Sequence, residues 1–307
     1  MDAVYILGKG SHWGNNELRY SLRSVEKYVE NLGNVFIVGE CPGWLKNIIH
    51  LPCPPDGPVK ERNIMEKIMV ASKCPLVSAS FLFINDDHFL LQPIGSILPH
   101  YYDGNLQELL AARNLIKNEY TKAVENTYNA CKPLDSQLHY DIHCPISIVK
   151  DTFIEAMESV NWNVDAGYLV KSLYANFFEH TYSGVFPTPL PDCQINTPKT
   201  IPQLNDILKD KPFFSIHDGA LRGGAMRIWL QTGYPDKSRF EQDLPPETIF
   251  SQDQFDHWRY LISNAGHEAI GIISKDMKGQ ISLLPSDESG YLELKRAMKY
   301  LISALPV

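Results

Sequence analysis

FLFINDDHFLL, residues 81–91, places two acids and a histidine inside an otherwise apolar run. Phe81, Leu82, Phe83 and Ile84 read as a strand buried on both faces, the pattern of a parallel sheet covered by helices. Asn85, Asp86, Asp87 and His88 interrupt the run, and Phe89-Leu90-Leu91 resume it. Carboxylates between hydrophobic walls are costly unless something neutralises them. If the chain stays extended, Asp86 and His88 share one side and Asp87 faces elsewhere. A carboxylate beside an imidazole suits a divalent cation, Mn2+ or Mg2+. Asp87 is then left for a ribose or a backbone group. The competing reading is an Asp-rich turn capped by its own amides; the flanking apolar residues favour the cation.

The residues upstream set the fold around this strand. Residues 3–7 form a short apolar strand followed by Gly8-Lys9-Gly10-Ser11-His12-Trp13-Gly14. A helix is expected over 17–30, capped by Asn15 or Asn16, with Leu18, Leu22, Val25 and Val29 at helical spacing. Strands follow at 35–38 and 48–51, then a Pro-rich bend, a helix over 60–72 and the strand ending at Ile84. This alternation predicts an α/β fold with a largely parallel sheet. Ligands on such sheets sit beyond the carboxyl ends of the strands, where Asn85-Asp86-Asp87-His88 lies.

The rest of the chain is less regular. One polar helix is expected over 106–130, then His139-Tyr140-Asp141-Ile142-His143-Cys144-Pro145, helices over 151–160 and 165–178, and a strand over 211–216 ending at His217-Asp218. Beyond about Gln252 the pattern suggests a small α+β extension: one helix, two short strands and a closing helix.

Composition narrows the function. The chain has 307 residues with a formal charge of −8, which argues against broad nonspecific nucleic-acid binding while allowing a local basic groove. No run of 18 apolar residues points to a membrane span, and the first residues lack the basic stretch of a signal peptide. The 6 cysteines are scattered without CxxC spacing, as expected of reduced thiols in a cytoplasmic protein. GKGSHWG carries Trp13 where a dinucleotide fingerprint needs glycine, so an NAD site is not expected.

Asp86-Asp87-His88 resembles the DxD-type motif of GT-A-fold glycosyltransferases, in which a short acidic motif after a strand holds a divalent metal that bridges the diphosphate of a sugar nucleotide. Residues 16–28, NELRYSLRSVEKY, are similar to the ELRYSLRSxEKY segment of Stealth-type sugar-phosphate transferases. So are Val35-Phe36-Ile37-Val38, Pro42-Gly43-Trp44-Leu45 and the Asn85-Asp86-Asp87 strand end. Pro235-Asp236-Lys237-Ser238-Arg239-Phe240-Glu241 resembles a closing motif of phage and bacterial glycosyltransferase-like proteins. Stealth-type transferases carry an acidic W-V-D-G loop where this chain has Gly8-Lys9-Gly10-Ser11, a departure that favours sugar transfer over sugar-phosphate transfer.

The resemblance implies a GT-A-like (Rossmann-like) mixed sheet over residues 1–250, with a nucleotide-sugar half to about residue 100, an acceptor half to 250, and the extension over 251–307. It implies a hexosyltransferase that uses a UDP-sugar and Mn2+ or Mg2+, with a hydroxyl acceptor: a glycan, a small molecule or a hydroxymethylated DNA base. A Stealth-like sugar-1-phosphate transferase and a non-catalytic nucleotide- or glycan-binding protein are the alternatives. In this scheme Asp86, His88 and His217 hold the metal. Asp87 and the first loop, with Gly8, Lys9, Gly10 and Trp13, hold the nucleotide. Arg19 and Arg23, four apart on one helix face, reach phosphates or pair with Glu26 or Glu30. Lys60 and Asn63 open the second helix, where an anion is favoured. Arg222 supplies a cation for the leaving group. The segment holding Asp141 and His143 supplies base candidates; Asp141 is the first choice and Asp218 the second.

Overall fold

The computed structural model describes residues 1–8, 11, 13–95, 98–113, 115–181, 187–222 and 224–242. Lys9, Gly10 and the expected extension over 251–307 lie outside the described residues. The chain begins with β1 (Asp2–Leu7), α1 (Asn16–Tyr28), β2 (Val35–Gly39), β3 (Ile49–Leu51), α2 (Lys60–Lys73), β4 (Ser80–Ile84) and β5 (His88–Leu90). Next come β6 (Tyr101–Tyr102), α3 (Leu106–Ala112), α4 (Glu119–Cys131), β7 (Ile146–Val149), α5 (Lys150–Glu158) and α6 (Val170–Thr181). The described part closes with β8 (Thr188–Pro189), β9 (Gln194–Ile195), α7 (Ile201–Leu208), β10 (Phe213–Ile216), α8 (Asp218–Leu221) and α9 (Ala225–Gly233).

The main sheet has the order β3-β2-β1-β4-β7. Strands β1 to β4 are parallel and β7 runs antiparallel beside β4. The mixed α/β architecture, a mostly parallel sheet flanked by helices, is the expected class. Side-chain alternation along β1 builds two cores at once. Ala3, Tyr5 and Leu7 face α1, packing with Leu18, Leu22 and Val25. Val4 faces the other way, into a core with Phe36, Phe81, Ile68 of α2 and Phe153 of α5. Tyr5 is in register with both Ile37 and Ile84; β4 ends there, while β1 and β2 run two residues further to the Leu7–Gly39 pair. At that edge Gly39 has φ +99°, and a Cβ there would collide with the Leu7 carbonyl oxygen; the site admits glycine on both counts.

Three boundaries differ from the sequence-based expectation, each for a local reason. The single helix over 106–130 is two, α3 and α4, because Asn118 caps a new start by accepting from the Thr121 N–H. The helix expected from 165 begins at Val170, after Ala166 and Gly167 both adopt positive φ. Strand β7 had no alternation strong enough to announce it and follows directly on the 139–145 loop.

A second sheet, β5-β10-β9, stands beside the first. Its strands pack Phe89 and Phe214 into a third core with Trp13, Tyr20 and Leu230. The described chain ends by folding back onto α1. Glu241 accepts from Arg19 at 2.8 Å and from Arg23 at 2.8 Å, and the Ser238 N–H donates to it at 2.9 Å. The Arg19 guanidinium also lies 4.1 Å over the Trp44 ring. No helix among the described residues is long and apolar enough to cross a membrane.

Candidate functional site

The acidic motif follows β4 at the carboxyl edge of the sheet. It does not stay extended: the His88 N–H donates to the Asn85 carbonyl at 3.2 Å, closing a four-residue turn that sends the chain into the second sheet. There His88 stands opposite Ser215 of β10. The turn cancels the two-residue alternation that would have paired Asp86 with His88. Asp86 and Asp87 instead both line a cavity of about 320 Å³, and His88 does not. His88 is 2% exposed, neither ring nitrogen has a hydrogen-bond partner among the described residues, and Nε2 lies 3.6 Å from Asp87 Oδ1. Burial, with the charges of Lys171 and His143, holds its pKa well below the usual histidine value, so the ring is neutral.

Four elements supply the cavity. Gly8 follows β1, Glu17 comes from the first turn of α1, and Ser11 from the loop between them. The far wall is Ile216, His217, Asp218 and Leu221, joined to the acidic turn by the Ile216 N–H, which donates to the Asp87 carbonyl at 3.1 Å. The cavity thus brings together Asp86, Asp87, His217, Asp218 and Gly8 of the expected site, and adds Glu17 and Ser11. His217 and Asp218 are exposed; His217 Nδ1 accepts from the Gly219 N–H at 3.1 Å, capping α8.

Carboxylates crowd this space. Burial raises the Asp86 pKa well above its ordinary value, and the charges of Asp87 and Glu17 raise it further. Burial likewise pushes Asp87 up to about 6, against the pull of His143 and Lys171. Glu17 is 7% exposed and raised by burial, with the charge of Asp218 adding to the effect and a hydrogen bond from Ser11 opposing it. Asp87 Oδ1 and Glu17 Oε2 are buried without a hydrogen-bond partner among the described residues. Two such oxygens among crowded carboxylates favour a cation. Among the described residues no group of three or more His, Cys, Asp or Glu side chains closes into a metal cage. The arrangement is the open kind, in which one or two carboxylates hold the ion while ligand oxygens and water supply the rest.

Several expected binders are engaged elsewhere. Trp13 is 1% exposed, stacked on Tyr20 at 5.5 Å and covered by Arg227, so it is a core residue rather than a ligand platform. Arg19 and Arg23 both donate to Glu241, and neither lines the cavity. The Asn63 side chain makes two hydrogen bonds to the backbone of Gly57, each 2.9 Å. Lys60 and Arg222 are exposed and line no part of the cavity. Asp141 Oδ2 accepts the Ser172 N–H at 2.7 Å, capping α6, and also lies outside the cavity wall.

Beside the acidic turn stands a pair that no spacing rule announces. His143 Nδ1 lies 2.7 Å from Asp192 Oδ2, and the His143 backbone N–H donates to Asp192 Oδ1 at 3.1 Å. Although burial alone would raise it, these bonds keep the Asp192 pKa below its ordinary value. The His143 ring meets His88 edge-on, 6.4 Å between centroids. Lys171, 8% exposed, donates to the carbonyls of Ile142 and Cys144 on either side of His143. Glu17 could have been found from its place in the first turn of a helix that follows a βα loop. Asp192 and Lys171 carry no comparable signal.

Compared with known proteins, the chain matches no family model and no curated sequence.

Proposed function

We propose that the protein is a divalent-cation-dependent glycosyltransferase of GT-A type, moving a sugar from a nucleotide sugar, a UDP-sugar, to an acceptor hydroxyl. The observation that carries this reading is the cavity at the carboxyl edge of β1 and β4, where Asp86, Asp87, Glu17 and Asp218 converge. Open α/β sheets bind ligands at this edge. Asp87 Oδ1 and Glu17 Oε2, buried without a hydrogen-bond partner among the described residues, suit Mn2+ or Mg2+ shared with the phosphates of a ligand. Bound in that way, the cation would neutralise the charge that develops on a departing diphosphate.

Asp86 and Asp87 are the residues to hold the cation, with His217 on the opposite wall. Gly8 lines the same cavity and offers its backbone to the nucleotide. Glu17 and Ser11 offer polar contacts to a ribose or sugar hydroxyl. The acceptor is a glycan, a small molecule or a hydroxymethylated DNA base.

The test is a panel of nucleotide sugars with Mn2+ or with EDTA, read as release of free nucleotide. Metal-dependent release is expected for at least one donor. Release of sugar 1-phosphate, with the nucleoside monophosphate as the other product, would favour the phosphate-transfer alternative. Binding without turnover would favour a non-catalytic protein, and no binding at all would remove the reading.

A further inference from the structure

We infer that His143, held by Asp192, is the general base that takes the proton from the acceptor hydroxyl; the inference rests on the transferase reading above. Two independent constraints fix this imidazole. Both carboxylate oxygens of Asp192 are spent on it, one on the ring and one on its backbone N–H. Lys171 grips the carbonyls immediately before and after it. With Nδ1–H donating to Asp192, the lone pair resides on Nε2, which no described residue engages. The side chain is 37% exposed, so that nitrogen is within reach of a substrate.

Location gives the pair its role. Asp87 lines the cavity, His88 follows it in the turn, and the His143 ring meets the His88 ring edge-on with 6.4 Å between centroids. His143 itself is not part of the cavity wall. With the donor in the cavity, the partly exposed imidazole beside the acidic turn is the group left to meet an incoming acceptor. Asp141, the first expectation, accepts the Ser172 N–H of α6 through Oδ2 and lies outside the cavity wall. A His oriented by a carboxylate is the arrangement that general-base chemistry requires.

In the step itself the acceptor proton passes to His143 Nε2 while the acceptor oxygen bonds to the anomeric carbon. The bond from that carbon to the diphosphate oxygen breaks, and its electron pair leaves with the nucleoside diphosphate. Asp192 balances the imidazolium that results.

The experiment compares wild type, His143→Ala and Asp192→Asn. UDP release from UDP-glucose, UDP-galactose and UDP-N-acetylglucosamine is measured with Mn2+, and UDP binding by calorimetry. His143→Ala should bind UDP as wild type does and lose about 10²–10⁴-fold in turnover. Added imidazole should restore part of that loss. Asp192→Asn should lose less and gain nothing from imidazole. Both positions are partly exposed, and thermal melts verify that the variants fold. Unchanged turnover in His143→Ala, a loss of UDP binding in parallel with turnover, or a loss that imidazole does not relieve would each overturn the inference while leaving the transferase reading intact. A wild type that turns over none of the three donors overturns the transferase reading and the inference with it.

Discussion

Arg19 donates to Glu241 at 2.8 Å across 222 residues of sequence, with side-chain exposures of 4% and 0%. Arg23 donates to the same carboxylate from one turn further along α1. Burial alone would raise the Glu241 pKa, but the hydrogen bonds from the two arginines and Ser238 hold it below its ordinary value. Glu241→Ala strands two buried guanidinium groups and should cost about 3–5 kcal/mol. Glu241→Gln keeps the shape and should cost less. Denaturant titrations measure both, and a loss under about 1 kcal/mol for Glu241→Ala would show that the cluster is not a stability element.

The acidic turn reverses the places that extended geometry would have given Asp87 and His88, with Asp87 on the cavity wall and His88 outside it. Asp87→Asn should lower Mn2+-dependent UDP affinity about tenfold or more. The same change should raise the melting temperature of the metal-free protein, because it removes one of several crowded buried acids. His88→Leu should leave the affinity within about threefold, under 1 kcal/mol, since its ring lies outside the cavity. Calorimetry on the two variants decides, and equal losses would restore His88 to the metal site.

Glu61 gives a pH signature separate from the cavity. Burial, then the charge of Asp141, pushes its pKa from 4.5 up to about 7. Between those values the folded protein keeps a proton that the unfolded chain has released, so stability falls as pH rises through the window. The loss reaches at most about 3 kcal/mol above pH 7. Glu61→Gln should match wild type near pH 4 and melt higher at pH 8. Melting curves that stay parallel across this range would contradict the assignment.

Gly39→Ala forces a side chain into a left-handed backbone and against the Leu7 carbonyl. It should destabilise the protein by more than about 1 kcal/mol, measured by thermal melts. A neutral result would mean that β2 can shift away from β1 at the cleft edge.

The first ninety residues were largely legible because their signals are local. Leu18, Leu22 and Val25 at helical spacing located α1, and the apolar run 81–84 located β4 at the bounds observed. The position of Asp86 and Asp87 at the carboxyl edge of the sheet followed from that topology alone. What escaped was set by turn chemistry or by distance along the chain. The Asn85–His88 turn rotated His88 out of the cavity, a change that two-residue periodicity cannot register. Arg19 looked like a phosphate ligand because its partner lies 222 residues away. Asp192 stands 49 residues from His143, with nothing between them to mark the pair. Asp141 looked like a free base because helix capping by a distant carboxylate leaves no pattern in its own neighbourhood.

The joining of α1 to Glu241 also bears on how the chain folds as it is made. Ribosomes add about 5–20 residues per second, so the two arginines emerge roughly 11–44 s before the acid that neutralises them, given their 222-residue separation. Until then α1 can pack its apolar face on the sheet but carries two unmatched charges on the face that Glu241 and Trp44 will cover. A chain interrupted before residue 241 would keep that face open, and a chaperone or protease could tell it from the finished protein.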